Sequence, residues 1–280
     1  MSKILVLGSE GQIGISLTKV LKNDHKNEVI NCDIVLDESH DLRKNSDFLQ
    51  DSFKKADFVF FLAYDVGGST YLNRNQKSLE FIDNNVLLMK NTFSFLKKYS
   101  TPFLFASTQM SNMTHSPYGT LKKLGEHYTK ILGGHIVRFW NTYGIENDPN
   151  KTHVITDFIN SAISKNIINI KTNGEETRQF LHADDCSSAL IKVQQNYNVL
   201  EKRYLDITSY KWNTINEVAE IVSREFNGIP IKRGSLVDTV QNNLQNEPEL
   251  YFKKFWSPKI SLEDGISIIS KYMLNSKSLD

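Results

Sequence analysis

Lys3-Ile-Leu-Val-Leu-Gly8-Ser-Glu-Gly11-Gln12-Ile13-Gly14 opens the chain and sets its architecture. Residues 3–7 form a continuous apolar run, which suits a parallel strand buried on both faces. A glycine-rich turn follows at once, and from Ile15 to Leu21 the apolar residues recur at helical spacing. Strand, turn and helix in that order let backbone N–H groups approach a pyrophosphate at the positive end of the helix. The spacing is Gly-x-x-Gly-x-x-Gly, so Gly8, Gly11, Gln12, Ile13 and Gly14 are the first candidate cofactor-binding residues. The next apolar run, Glu28-Val-Ile-Asn-Cys-Asp33, ends in an acid 19 positions after Gly14. That is close to the roughly 20 expected of a carboxylate on a ribose hydroxyl. No Arg follows this strand end directly, which favours NAD over NADP.

The same alternation continues. Phe58 to Ala63 and Pro102 to Ser107 read as buried strands, His135 to Phe139 as another, with helices between them. Asn75 to Tyr99 reads as one long helix from Leu79, Ile82, Val86, Met89, Phe93 and Leu96. The pattern predicts an α/β fold, a Rossmann-type doubly wound parallel sheet with right-handed crossovers. From about Asn141 the alternation loosens into helices 154–165, 184–196, 214–226 and 262–272, with short strands at 167–171 and 203–207. We therefore expect a dinucleotide-binding domain over 1–140 and, over 141–280, a smaller C-terminal substrate-binding lobe with segments returning to the sheet.

Ser116-Pro-Tyr118-Gly-Thr-Leu-Lys122 lies just past the strand that ends in Ser107-Thr108. A helix puts residues four apart on one face, about 5–6 Å between Cβ atoms. A phenol with a free pKa near 10 loses its proton more easily beside an ammonium. Tyr118 and Lys122 near a hydroxyl are thus suited to moving a proton to or from a substrate alcohol. Tyr64-Asp65-Val66-Gly67-Gly68 is a flexible loop at a strand's carboxyl end, where α/β sheets place ligands.

Bulk properties exclude several classes. The 280 residues carry 33 basic and 32 acidic side chains and no Lys/Arg tract longer than a pair, which argues against nucleic acid or an anionic membrane as partner. No apolar stretch approaches membrane-spanning length and no signal-peptide pattern is present. Cys32 and Cys186 are the two cysteines, each in apolar context, and are expected to be buried thiols in a reducing cytoplasm, neither a disulfide nor a metal site.

Together the ordered motifs resemble the extended short-chain dehydrogenase/reductase family, the NAD-dependent nucleotide-sugar epimerases, dehydratases and reductases, over roughly residues 3 to 266. They comprise Gly8-x-x-Gly11-x-x-Gly14, Asp33, Asp41-Leu42, Phe61-Leu62-Ala63, Ser107-Thr108, Tyr118 with Lys122, Arg138-Phe-Trp-Asn141-Thr-Tyr143-Gly144, Gly174-Glu-Glu-Thr-Arg178 through Asp185, and Phe255-Trp256-Ser-Pro258. The resemblance implies that Thr108 hydrogen-bonds the substrate hydroxyl, that Tyr118 donates or accepts the proton, and that Lys122 holds the nicotinamide ribose. Asp41 and Leu42 would lie along the adenine, with Leu62 and Ala63 along the cofactor. Gly67, Gly68, Thr108 and Gln109 would face the substrate. Asn141 and Arg178 would meet its diphosphate, an Arg fork suiting phosphate oxygens. His182 and Asp184 would be structural, Asp184 as a helix cap.

Departures narrow the chemistry. Where family dehydratases carry an acid after the active Thr, this chain has Gln109 and Met110, which disfavours 4,6-dehydration. Where 3,5-epimerases and related reductases of GDP-sugars carry a Cys, it has Met110, although Asp65-Val-Gly67-Gly68 resembles their loop. Only nine residues separate Thr108 from Tyr118, a connection shorter than is usual in the family. The expected activity is an NAD-dependent oxidation of a nucleotide-linked sugar, GDP-linked on the loop's hint, with hydride transfer at carbon 4. A 4-epimerase and a 4-dehydrogenase or 4-ketoreductase both fit. The alternatives are a non-catalytic dinucleotide sensor or scaffold and a dehydratase with an atypical acid/base. A homodimer through helices 75–99 and 118–132 is expected by resemblance.

Overall fold

The computed structural model describes residues 1–113, 115–238 and 246–277. Strands β1 (Ser2–Leu7), β2 (Asn27–Cys32), β3 (Phe58–Phe61), β4 (Phe103–Thr108) and β5 (His135–Phe139) join strand Tyr204–Ile207 in one six-stranded sheet. The order is β2-β1-β3-β4-β5 and then Tyr204–Ile207, with every pair parallel. The chain runs outward from β1 to β2 and then crosses back to β3. The switch point therefore lies between β1 and β3, and a ligand belongs beyond their carboxyl ends.

Alternate residues of β1 serve opposite faces of the sheet. Ile4 and Val6 pack with Leu17 and Leu21 of helix α1 (Gln12–Asn23) and with Leu190 and Val193 of the later helix Ala183–Gln195. Leu5 and Leu7 pack with Phe53 of α2 (Asp47–Lys55) and with Phe93 and Leu96 of the long helix Leu79–Tyr99. Burial on both sides is why these strands are apolar throughout rather than alternating. The second half of the chain thus completes the sheet with Tyr204–Ile207 and covers one face with Ala183–Gln195. It also builds its own core around Tyr143, Phe158, Ile159, Phe180, Val218, Val222 and Ile266.

The helix read from Asn75 to Tyr99 begins at Leu79, as α4 (Leu79–Tyr99), and Asn75 instead ends a separate short helix, α3 (Ser69–Asn75). Ser78 separates the two: its hydroxyl accepts the Phe81 N–H as a new N-cap, and its own N–H bonds Asn75 O. After α5 (Pro117–Ile131) come α6 (Val154–Lys165), α7 (Ala183–Gln195), α8 (Ile215–Glu225) and α9, which runs from Leu262 on to Lys277 rather than stopping at Tyr272. Asp184 does not cap α7. His182 does, its Nδ1 accepting the Asp184 N–H, while the Asp184 carboxylate takes the Ser16 hydroxyl and ties α7 to α1. Cys32 and Cys186 are both buried and unpaired. No helix among the described residues is long and apolar enough to cross a membrane.

Candidate active site

A cleft of about 1400 Å³ opens at the carboxyl ends of β1 to β5 and extends between the sheet and the lobe. Its floor is the glycine turn. Gly8 has φ +85°, and a Cβ there would stand 2.7 Å from Ala63 N, so only glycine fits where the ends of β1 and β3 meet. At Gly14 a Cβ would fall 2.0 Å from Gly8 O, because the turn folds flat against the first turn of α1. Gly11 is the N-cap of α1 and offers no side-chain cap, leaving the helix's leading N–H groups for another acceptor. Gln12 Oε1 takes the Thr142 hydroxyl at 2.8 Å, yet its buried Nε2 has no partner. Unpaired donors gathered at a helix N-terminus suit a diphosphate.

Asp33 lines the cleft at the end of β2, its carboxylate fixed by Glu10 N at 3.0 Å and Val35 N at 3.1 Å. Leu42, Leu62 and Ala63 form apolar wall. Asp41 is nearly buried. Burial opposes its charge, but the Arg43 guanidinium and backbone N–H hold its carboxyl below the usual range.

On the opposite wall, Thr108 ends β4 and Tyr118 stands in the first turn of α5, with Lys122 one turn further on. All three line the cleft. The Thr108 side chain lies near the Tyr118 phenol, and its hydroxyl accepts the Met110 N–H at 3.2 Å. Burial pushes the phenol's pKa up, and the neighbouring Thr108 offsets this only in part. Lys122 does not tune Tyr118 as its spacing led us to expect. Its ammonium donates to Ala106 O at 2.6 Å and sits 3.7 Å from the centre of the Tyr64 ring. Burial brings its pKa down to about 7, against the pull of Glu126. Glu126 is buried beneath it, accepting from Ser107, Ser111 and both forks of Arg138, and so fixes the end of β4 to α5 and β5.

The expected substrate-side residues divide. Asn141 lines the cleft, and its Oδ1 is buried without a hydrogen-bond partner. Arg178 lines it too, already paired with Asp238. Gln109 turns away from the cleft: it is buried, and its amide oxygen accepts from Asn246 at 2.8 Å. Gln109 opens the 3-10 turn Gln109–Asn112, where the chain leaves the strand, and Thr108 and Met110 line the cleft while Gln109 does not. Gly67 and Gly68 border the cleft but serve packing. A Cβ on Gly68 would fall 2.1 Å from Thr152 O, and its N–H bonds Lys151 O at 2.9 Å. Lys151 in turn pairs with Asp65, sealing the two loops together.

A model of the NAD dependent epimerase/dehydratase family matches residues 4–207, from β1 to the last strand of the sheet. The chain belongs to that family. Among curated relatives it is 22% identical to the UDP-glucuronic acid decarboxylase 6 of Arabidopsis thaliana, over 96% of this chain and 88% of that one. It is 27% identical to the GDP-L-fucose synthase 1 of the same plant, over 95% of this chain and 91% of the other. The solved Bacillus cereus UDP-glucuronic acid 4-epimerase, in complex with UDP-glucuronic acid and NAD, superposes with a TM-score of 0.83 at 20% identity, covering 98% of this chain and 99% of its own. That likeness shows the shared fold.

This epimerase/dehydratase family member is an enzyme whose cofactor is NAD, and its own residues fit that group: a glycine cradle, an uncapped helix start, the unpaired Gln12 amide and an acid at the end of β2. Further residues line the cleft beyond the motifs. Tyr64 packs edge-on to Tyr118, ring centres 5.9 Å apart. Glu146 and His153 pair on the lobe side. The carboxylate raises the imidazole's pKa above its ordinary 6.5 despite desolvation. An acid seven residues before a histidine has no standard motif, so only the fold brings them together.

Proposed function

We propose that this enzyme oxidises the carbon 4 hydroxyl of a nucleotide-linked sugar, as a 4-epimerase or as a 4-dehydrogenase or 4-ketoreductase. The observation that carries the proposal is that Thr108 and Tyr118, neighbours in the wall, line the same cleft as the glycine cradle. A sugar hydroxyl entering there meets both oxygens. Tyr118 takes its proton and Thr108 steadies the oxygen as it becomes a carbonyl. NAD, when bound, supplies the two-electron acceptor for the carbon-bound hydrogen, and its oxidised ring is positively charged. Lys122, with a pKa of about 7, sits in the same wall and would hold cofactor hydroxyls.

Gly8, Gly11, Gln12, Ile13 and Gly14 would cradle the cofactor diphosphate, Asp33 a ribose, and Asp41, Leu42, Leu62 and Ala63 the adenine side and flank. On the substrate side, Asn141 and Arg178 would meet the sugar nucleotide's diphosphate, Arg178 exchanging Asp238 for phosphate oxygens. Met110 in the cleft wall cannot carry a proton, which supports simple oxidation over 4,6-dehydration. The names of the curated relatives point to UDP- and GDP-linked substrates alike.

Leu124, Tyr128 and Ile131 leave an exposed apolar stripe on α5, with Leu87 on α4, which supports a homodimer through these helices. Two buried free thiols support a cytoplasmic setting. Mixing the protein with NAD and UDP-, GDP- and dTDP-sugars tests the reading. Lasting growth of the NADH band identifies a dehydrogenase, and a new sugar without net NADH an epimerase. No product from any sugar, with NAD bound, contradicts the proposal and leaves a dinucleotide sensor.

A further inference from the structure

The break between α3 and α4 puts one buried side chain against the start of α5. Gln76, 6% exposed, directs its Oε1 at two donors: the Ser116 hydroxyl at 3.0 Å and the Tyr118 backbone N–H at 3.4 Å. The first N–H groups of a helix have no partner within it. In α5 the second residue, Tyr118, is the problem. Pro117 has no N–H, the Gly119 N–H is taken by the Ser116 hydroxyl at 3.1 Å, and that of Thr120 by Ser116 O at 2.9 Å. Only the Tyr118 N–H is left over, and Gln76 accepts it. The same oxygen holds the Ser116 hydroxyl, whose residue is 1% exposed, in the orientation that caps Gly119.

We propose that Gln76 is a positioning residue for Tyr118. It closes the first turn of α5 and fixes where the phenol meets Thr108. Gln76 is itself held: its N–H bonds Leu72 O at 3.0 Å as the C-cap of α3, and Ser69 to Asn73 of that helix line the cleft. The backbone of Tyr118 is thereby fastened to the wall that faces the substrate. Displacing a proton-transfer group by even 1 Å costs on the order of a hundredfold in rate. This inference rests on Tyr118 being the proton-transfer residue.

The test compares Gln76→Met, which keeps length and loses the acceptor, with Gln76→Glu, which keeps it. Amide hydrogen exchange needs no substrate. In Gln76→Met the Tyr118 amide should exchange about tenfold faster while strand β1 amides are unchanged. With a sugar that the wild type turns over, Gln76→Met should lower kcat by roughly 10- to 100-fold, with KM and NAD affinity held within about twofold. Gln76→Glu should recover most of the loss. Equal kcat in wild type and Gln76→Met, or unchanged Tyr118 exchange, overturns the proposal. So does a loss of kcat, NAD affinity and melting temperature together that Gln76→Glu does not rescue, which would make the contact merely structural. A wild type inert toward every sugar overturns the enzymatic reading itself, while the exchange result still reports on the hydrogen bond.

Discussion

The Lys122 ammonium rests 3.7 Å from the centre of the Tyr64 ring, with its proton given to Ala106 O rather than directed at Tyr118. A cation over an aromatic face is attracted to the ring's negative quadrupole, yet burial dominates and lowers the pKa to about 7 from an ordinary 10.5. Between those two values the unfolded chain holds a proton that the folded chain lacks, so stability rises with pH across the window. Measured by urea unfolding of the protein alone, wild type should gain on Lys122→Met from pH 7 to 9, by at most about 1.4 kcal/mol per pH unit. Parallel stability curves for the two proteins would mean that Lys122 titrates normally.

His153 gives the opposite dependence, and its partner Glu146 bounds the window from below. The His153 pKa is raised above 6.5, so its contribution is full below that value and fades as pH rises through the folded pKa. The Glu146 pKa is lowered below 4.5 against desolvation, so its contribution holds above 4.5 and fades as pH falls through the folded pKa. The melting-temperature deficit of Glu146→Gln should therefore be largest between about pH 4.5 and 6.5. In the same variant the His153 ring, followed by NMR, should titrate at lower pH than in wild type. An unmoved titration would show that the pair is not coupled.

The glycine cradle predicts a contrast between neighbours. Gly8→Ala forces a left-handed residue and a Cβ 2.7 Å from Ala63 N, and should cost at least about 1–2 kcal/mol of stability. Gly11→Ala meets only Gly8 O at 3.4 Å and should fold nearly as wild type while weakening NAD in a binding titration. Equal stability losses in the two variants would remove the steric argument.

Arg178 and Asp238 form an ion pair in the cleft wall, so a diphosphate must displace the carboxylate to reach the guanidinium. Asp238→Asn should tighten UDP or GDP binding. Arg178→Met should weaken it roughly 10- to 100-fold, the worth of one or two charge-assisted hydrogen bonds. Calorimetric affinities unchanged in both variants would place the diphosphate elsewhere.

The strands were legible because burial on both faces leaves uninterrupted apolar runs, and the glycine turn because no other residue can stand at Gly8. The start of α4 is set by the Ser78 hydroxyl, which follows a polar run, Asn73 to Ser78, that carries no apolar spacing to mark the boundary. His182 takes the capping role assigned to Asp184 because α7 begins at Ala183, one residue before Asp184, so Asp184 lies inside the first turn. Gln109 is expected at the substrate, whereas the 3-10 turn that follows Thr108 directs it to Asn246. Tyr118 and Lys122 were rightly expected one helical turn apart, but the direction of the ammonium depended on Ala106 and Tyr64 from two other strand ends.

The phenol of Tyr118 carries the account, and one variant tests it most directly. With the sugar that the wild type converts, Tyr118→Phe should retain NAD affinity and lose turnover by about 10²- to 10⁴-fold, the usual share of a positioned acid/base. Turnover within a few-fold of wild type in that variant would contradict the proposed mechanism.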